Sequence, residues 1–351
     1  MIYDLIRDEI KGFKNYDVPT IECMYKMDAN ETPFGLPEAT MNNLQEIVKS
    51  ANVNRYPDPV SLKLRDKLAE YCGTTRENIF AGNGSDEIIH ILMNAFVSKN
   101  DCVVYPVPSF SMYKVYSQIA GAKNVEVALK DDYSYNVDEI INTINIFNPK
   151  MVILCNPNNP TGTTLDRDDI VKILKVNDGI TVVDEAYYEF YGDTVVDLIG
   201  KFERLIVLRT LSKAYGLAGL RVGYAVSNSD VISCLNMVKS PYNVNSISQA
   251  IALSVLEEGR VDEKVDYIKN ERKFLQDGLK EIGKLKVYDS KANFLLIEFD
   301  DAYYVYNKLL EKGVLVRNFS GDKILSNALR VTIGTREANS YFLKCLKEIL
   351  V

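Results

Sequence analysis

Residues 151–187 read MVILCNPNNPTGTTLDRDDIVKILKVNDGITVVDEAY. Two apolar runs of strand length, at 151–155 and 180–184, flank an amphipathic segment at 166–176. A strand, a helix and a second strand in this order are typical of a βαβ unit with parallel strands. Because nearly every position in the two runs is apolar, we expect strands that are covered on both faces.

Strands and helices alternate on both sides of this unit. The remaining strands are predicted at 78–81, 102–106, 125–129, 205–208 and 222–226. An amphipathic helix is predicted over 85–97, with Ser85 as its N-cap. This pattern predicts an α/β fold with a mostly parallel central sheet and helices on both faces.

The pattern changes after about residue 245. Two long helical segments are followed by short strands and by a last helix with Thr335 as its N-cap. This order predicts a smaller C-terminal α+β domain. We expect an N-terminal arm at 1–35, a large domain at 36–250 and the small domain at 251–351.

Composition excludes several classes of protein. The 351 residues include 41 Lys and Arg against 48 Asp and Glu, a net charge of −7, which argues against a nucleic-acid-binding surface. No apolar run reaches the roughly 18–20 residues of a membrane-spanning helix. The first 14 residues lack the apolar core of a signal peptide, so we expect a cytoplasmic protein with no membrane partner. With six irregularly spaced cysteines and one histidine, neither a disulfide framework nor a metal site is expected.

Polar side chains follow the strands of the predicted sheet, at the edge where α/β proteins bind ligands. Asp184 ends an apolar strand, where a buried carboxylate is costly unless it pairs with a cation. Lys213 lies among Leu, Ala and Gly residues, beside the hydroxyls of Thr210 and Ser212, and Arg221 follows eight residues later. Apolar surroundings and a nearby cation lower the pKa of an amine and make it a nucleophile.

These groups together indicate the cofactor. They require an aldehyde for Lys213, a protonated ring nitrogen for Asp184 and a phosphate for Thr210, Ser212 and Arg221, and pyridoxal 5'-phosphate offers all three. The segment 82–87, GNGSDE, follows a strand and opens a helix, so its backbone amides are expected to face an anion. It matches neither a dinucleotide-binding nor a P-loop pattern. We therefore predict pyridoxal phosphate bound as a covalent Schiff base on Lys213.

Nearly the whole chain resembles a known family. Its motifs are DANE at 28–31, YPDP at 56–59, GNGSDE at 82–87, NPNNPTG at 156–162, DEAY at 184–187, TLSK at 210–213 and LRVTIGTRE at 329–337. In their order and spacing they resemble the fold-type I, class II pyridoxal-phosphate-dependent aminotransferases, and within that group the histidinol-phosphate aminotransferases. The resemblance implies the fold of those transferases and amino transfer between L-histidinol phosphate and 2-oxoglutarate, a step of histidine biosynthesis.

The resemblance also implies a role for each matching residue. Lys213 would carry the cofactor and shuttle a proton, Asp184 would hold the ring nitrogen, and Asn159 and Tyr187 would hydrogen-bond the phenolate oxygen. The phosphate would be held by Gly84, Ser85 and Asp86 together with Thr210, Ser212 and Arg221. Phe110 would stack on the ring, at a position where the family often has Tyr. Tyr56 would reach the cofactor of a neighbouring subunit, which implies a homodimer with shared active sites.

Residues for the substrate follow from the same resemblance. Arg330 and Arg317 match anion-binding positions, and Tyr16, Asn30 and Tyr242 are the remaining lining groups. An aromatic amino-acid aminotransferase is an alternative, because its anion requirement is similar. A threonine-phosphate decarboxylase is another, although the His-Gly-Gly-Asn segment typical of that group is missing from 1–25. A cofactor-binding transcription regulator is disfavoured by the acidic composition and by the short segment before residue 28.

Overall fold

The structure, a computed structural model, describes residues 2–13, 21–36, 38–259 and 261–350. Its strands are β1 (Tyr25–Met27), β2 (Ile79–Gly82), β3 (Cys102–Val107), β4 (Lys123–Ala128), β5 (Met151–Cys155), β6 (Ile180–Asp184), β7 (Leu205–Thr210), β8 (Gly223–Ser227), β9 (Lys286–Val287), β10 (Phe294–Glu298), β11 (Val314–Asn318) and β12 (Ala328–Thr332). Its α-helices are α1 (Glu38–Ser50), α2 (Leu62–Cys72), α3 (Ser85–Phe96), α4 (Met112–Ile119), α5 (Val137–Phe147), α6 (Arg167–Val176), α7 (Tyr188–Tyr191), α8 (Ser229–Val238), α9 (Ser246–Glu258), α10 (Asp262–Ile282), α11 (Ala302–Glu311) and α12 (Arg336–Ile349).

Seven strands form the large sheet, in the order β2-β8-β7-β6-β5-β3-β4. The strand β8 runs antiparallel to its neighbours β2 and β7, and the other adjacent pairs are parallel. In the central pair, β5 and β6, Cys155 lies opposite Asp184. The prediction of a mostly parallel sheet is confirmed, and both strands of the 151–187 unit have the predicted bounds.

Side chains of the central strands point alternately to two cores. Val152, Leu154 and Val183 pack in one core with the helices α5 and α6, whereas Ile153 and Val182 pack in the other with α3, α4 and α8. This alternation follows from the two-residue period of a strand. Because each core is covered by helices, the predicted two-sided arrangement is confirmed.

Five strands form the small sheet, in the order β1-β11-β12-β10-β9. The strand β1 pairs in parallel with β11, and the other pairs are antiparallel. Three residues, 25–27, are too few for a periodic signal, so β1 was not expected from the sequence. It belongs to the segment predicted as the N-terminal arm, and it brings residues 28–31 to the strands of the small sheet. The division into arm, large domain and small domain stays a prediction.

The predicted cap of α3 is wrong, and that of α12 is correct. Gly84, rather than Ser85, occupies the N-cap of α3, with a φ of 83°. A Cβ at Gly84 would lie 2.5 Å from Nη2 of Arg221, so only glycine fits there without displacing that guanidinium. Thr335 caps α12, accepting a hydrogen bond from the backbone N–H of Ala338 at 3.3 Å.

Within the described ranges, no helix has the length and apolarity to cross a bilayer.

Candidate active site

Lys213 lies three residues beyond the end of β7 and is half-buried. Its Nζ donates a hydrogen bond to the carbonyl oxygen of Ala29 at 3.1 Å. Burial, and then the positive charge of Arg330, lower the pKa of the Lys213 amine to about 8. An amine of this pKa is partly neutral near pH 7 and can act as a nucleophile and a base.

Asp184 ends β6 and is 4% exposed. Its Oδ2 accepts a hydrogen bond from the Tyr113 hydroxyl at 2.7 Å, and its Oδ1 accepts one from the backbone N–H of Ala186 at 3.1 Å. Burial raises the pKa of Asp184 to about 6, and these two donors act in the opposite direction. No Lys, Arg or His in the described ranges forms an ion pair with this carboxylate. Asp184 is therefore a buried acid whose two donors among the described residues are both neutral.

Tyr187 is held by the segment that follows β1. Its hydroxyl accepts a hydrogen bond from Nδ2 of Asn30 at 2.9 Å. Asn30, with a φ of 55°, is itself anchored, because its N–H donates to Oγ1 of Thr332 at 2.9 Å and its carbonyl accepts from Asn293 at 3.0 Å. The ring of Tyr187 lies 6.0 Å from Nζ of Lys213. The predicted lining residue Asn30 thus lies at the candidate site, in contact with Tyr187.

Arg330, on β12, is 8% exposed. It donates from Nη1 to the side-chain oxygen of Asn159 and from Nη2 to the carbonyl oxygen of Asp28 at 2.6 Å. The predicted cofactor residue Asn159 and the predicted substrate residue Arg330 are therefore direct neighbours. Arg317 lies opposite Arg330 in the register of β11 and β12, and its guanidinium is 5.9 Å from the ring of Phe319.

A cradle of hydrogen-bond donors lies at the N-terminus of α3. Gly223 at the start of β8 approaches so closely that a Cβ there would lie 2.3 Å from the backbone nitrogen of Ser85. Arg221 reaches the same place and pairs with Asp86 at 3.2 Å. Nearby, the Thr210 hydroxyl donates to the Ser212 hydroxyl at 3.0 Å. Hydroxyls, a guanidinium and free amides at a helix start form a donor set that fits a phosphate.

The comparisons with known proteins give the family. The model of the aminotransferase class I and II family matches residues 23–346. The chain belongs to the class I and II aminotransferase family. This confirms the resemblance and the α/β fold that were expected from the sequence.

Relatives of this aminotransferase match it over its whole length. The histidinol-phosphate aminotransferase of Thermoanaerobacter pseudethanolicus is 59% identical over 351 residues, and that of Caldanaerobacter subterraneus subsp. tengcongensis is 57% identical over 350 residues. Both alignments cover 100% of each chain. A solved structure of the histidinol-phosphate aminotransferase from Clostridium acetobutylicum is 26% identical, covers 93% of this chain and 99% of its own, and has a TM-score of 0.86.

Three more of the residues predicted for the site of the aminotransferase make ring contacts in the structure. The Phe110 ring lies 5.5 Å from that of Tyr113, at an interplanar angle of 84°. Tyr56 is 81% exposed and stacks on Tyr242 at 4.5 Å, so these two rings lie together on the surface. Tyr16 lies outside the residues that the structure describes.

Sequence reasoning missed several residues of the aminotransferase site. Tyr113 was not singled out, although it follows Phe110 by only three residues. Asn293 and Thr332, which anchor Asn30, were also missed. They are more than 260 positions from Asn30 in the chain, and no local pattern marks such a contact.

In the described part of the chain, no group of three His, Cys, Asp or Glu side chains could hold a metal.

Proposed function

We propose that this cytoplasmic aminotransferase moves the amino group between L-histidinol phosphate and 2-oxoglutarate, with pyridoxal phosphate as cofactor. The products are imidazole acetol phosphate and L-glutamate, and the reaction is a step of histidine biosynthesis. The observation that carries the proposal is the shared surroundings of Lys213, Tyr187 and Arg330, described above. Full-length relatives of 57–59% identity that bear the name of this enzyme support the substrate.

The donor set supports pyridoxal phosphate as the cofactor. When bound, this cofactor supplies an aldehyde that condenses with amines and a protonated ring that accepts electron density. The cradle of Gly84, Ser85 and Arg221, with Thr210 and Ser212, would hold its phosphate. Asp184 would hold the protonated ring nitrogen, because a positively charged N–H would stabilise a carboxylate that is buried.

Lys213 would move the proton. With a pKa of about 8, the amine is neutral in roughly a tenth of the molecules at pH 7, so Nζ both accepts and returns a proton readily. The carbonyl of Ala29 orients Nζ by accepting its hydrogen bond at 3.1 Å. Tyr187, held by Asn30, would hydrogen-bond the phenolate oxygen together with Asn159.

Two arginines would receive the anionic end of each substrate. Arg330 and Arg317 face each other on adjacent antiparallel strands, where like charges directly opposite destabilise the sheet. Such a pair is favoured when an anion joins it, and planar guanidinium groups suit phosphate and carboxylate equally. Both substrates carry an anion, a phosphate in one and a second carboxylate in the other. We expect Arg330 to bind both, with Arg317, Tyr16 and Tyr242 as further lining groups.

The exposed rings support a homodimer. Tyr56 and Tyr242 form a stacked aromatic pair on the surface, with Tyr56 81% exposed. Aromatic side chains are more frequent at protein–protein interfaces than on the rest of a protein surface. In the proposed homodimer, Tyr56 reaches the phosphate of the partner's cofactor.

The half-reaction with single amino donors tests the function. The protein is loaded with pyridoxal phosphate and mixed separately with histidinol phosphate, glutamate, phenylalanine, tyrosine and threonine phosphate, without an acceptor. Loss of the visible absorbance is followed, and carbon dioxide is assayed. Fast conversion with histidinol phosphate and glutamate is expected. Preference for the aromatic donors, or release of carbon dioxide from threonine phosphate, would overturn the substrate assignment.

A matched pair of arginine variants tests the shared anion site. Arg330→Lys should lower the rate with histidinol phosphate and with glutamate together, because one guanidinium serves both anions. Arg272→Lys is the control. This half-buried arginine lies on α10 and donates a hydrogen bond to the backbone carbonyl of Ala292 at 2.6 Å, so no role in substrate binding is expected for it. Loss of only one substrate in Arg330→Lys would show that the two anions bind at separate places.

A further inference from the structure

Tyr113 is a buried tyrosine that the proposed function does not use. It lies in the first turn of α4 and its side chain is 0% exposed. Its hydroxyl donates to Oδ2 of Asp184 at 2.7 Å. A buried hydroxyl aimed at a carboxylate is a charge-assisted donor, the stronger class of hydrogen bond.

The donors around Asp184 leave room for one more partner. Each carboxylate oxygen has two lone pairs, and Tyr113 and the Ala186 amide take one on each oxygen. These two bonds fix the plane of the carboxylate. The remaining lone pairs of Oδ1 and Oδ2 are then presented in one orientation to an approaching N–H.

The same turn of chain carries the residue expected to stack on the cofactor. The backbone N–H of Tyr113 donates to the carbonyl of Phe110 at 3.2 Å, and the two rings meet edge to face. A shift of this turn would therefore move Phe110 and the donor to Asp184 together.

We propose that Tyr113 is a positioning residue that orients the Asp184 carboxylate and keeps it ionised for the ring nitrogen of the cofactor. This inference rests on the proposed function, since it requires that the protein binds pyridoxal phosphate. Tyr113 touches Asp184 and acts through it.

The charged and titratable groups facing Asp184 make this donor necessary. Cys155 lies opposite it on β5, and Tyr135 donates to the backbone carbonyl of Cys155. Asp86 on α3 and the adjacent Glu185 are negative, so with burial they raise the pKa of Asp184. The Tyr113 hydroxyl and the Ala186 amide are the groups that lower it.

Two phenylalanine variants test the proposal. Tyr113→Phe removes the hydroxyl and keeps the ring, whereas Tyr105→Phe is the matched control. Tyr105 is also buried, its ring is 6.4 Å from that of Tyr113, and its hydroxyl donates to Asn124 and lies 3.3 Å from Glu126. The dissociation constant of pyridoxal phosphate is measured for both variants by equilibrium dialysis between pH 5 and pH 8.

Tyr113→Phe should weaken cofactor binding by about 10- to 100-fold, the usual effect of losing a hydrogen bond to a charged group. When the pH is lowered, the variant should begin to lose affinity for the cofactor at a higher pH than the wild type does. The reason is that the pKa of Asp184 rises when the donor is lost. Tyr105→Phe should bind like the wild type at every pH. An equal loss in both variants, or an unchanged pH profile in Tyr113→Phe, would overturn the proposal.

A double mutant separates positioning from folding. In an Asp184→Asn background, Tyr113→Phe should change the dissociation constant by less than about twofold, because the two residues act as one unit. Additive losses would contradict the assignment, as would a fall in the melting temperature of the apoprotein that accounts for the whole effect. If the wild-type protein itself fails to bind pyridoxal phosphate, the proposed function fails instead.

Discussion

Asp184 and Glu185 are neighbours in the chain, but they are satisfied in opposite ways. Asp184 accepts from a phenol and a backbone amide. Glu185, whose side chain is 1% exposed, forms an ion pair with Arg209 at 2.9 Å and also accepts from Thr194 and from the backbone N–H of Val195. Both carboxylates are buried, and among the residues that the structure describes Glu185 has a paired cation whereas Asp184 has none.

The difference agrees with the proposed roles, in which Glu185 stabilises the fold and Asp184 would bind the cofactor. Burial raises the pKa of both groups, and at Glu185 the charge of Arg209 counters that shift. The adjacent tyrosines follow the same division. Tyr187 lies beside Lys213, whereas the ring of Tyr188 lies 3.6 Å from the guanidinium carbon of Arg209. One short segment thus serves the site on one side and stabilises the fold on the other.

Asp184→Asn should have the largest effect, and it should act on the reaction and on cofactor binding and not on stability. Without a negative charge at the ring nitrogen, the half-reaction with histidinol phosphate should slow by about a thousandfold, or roughly 4 kcal/mol in the barrier. The free energy of unfolding of the apoprotein should stay the same or rise, because a buried charge has been removed. Stopped-flow absorbance and urea denaturation measure the two quantities. A half-reaction at the wild-type rate would break the contrast with Glu185.

Glu185→Gln should act on stability instead. It removes the carboxylate that pairs with the buried Arg209 at 2.9 Å, which costs about 3–5 kcal/mol in the free energy of unfolding. Urea denaturation of the apoprotein measures this cost, with the exposed Glu203→Gln as the control. The protein that remains folded should keep its half-reaction rate. A folded Glu185→Gln protein with full stability and a lost half-reaction would reverse the two assignments.

Tyr188→Leu should have the smallest effect. It removes the ring from the Arg209 guanidinium, for which a loss of about 1 kcal/mol in the free energy of unfolding is expected. The half-reaction rate should stay within about twofold of the wild type, because the ring packs on Arg209, a residue that the proposed site does not use. The same two measurements apply, and a tenfold slower half-reaction with unchanged stability would show that Tyr188 belongs to the site.

The central fold could be predicted because its signals are local. The apolar runs at β5 and β6 match the structure residue for residue, since burial on both faces leaves a continuous apolar stretch. Asp184 and Lys213 could be singled out for related reasons, because Asp184 ends an apolar strand and Lys213 follows another strand among small apolar residues. The strand β1 and the N-cap at Gly84 escaped prediction, since one is too short to show a period and the other depends on Arg221.

By itself, the sequence determined the alternation of strands and helices, the polar residues at the strand ends and the chemistry of the cofactor that those residues suit. The tertiary structure decided which of them meet. It joined Asn30 to Tyr187, Arg330 to Asn159 and Tyr113 to Asp184, pairs separated by 157, 171 and 71 positions. The physical reason is that side-chain periodicity reports burial over a few residues, whereas contacts between distant segments depend on how whole sheets and helices pack.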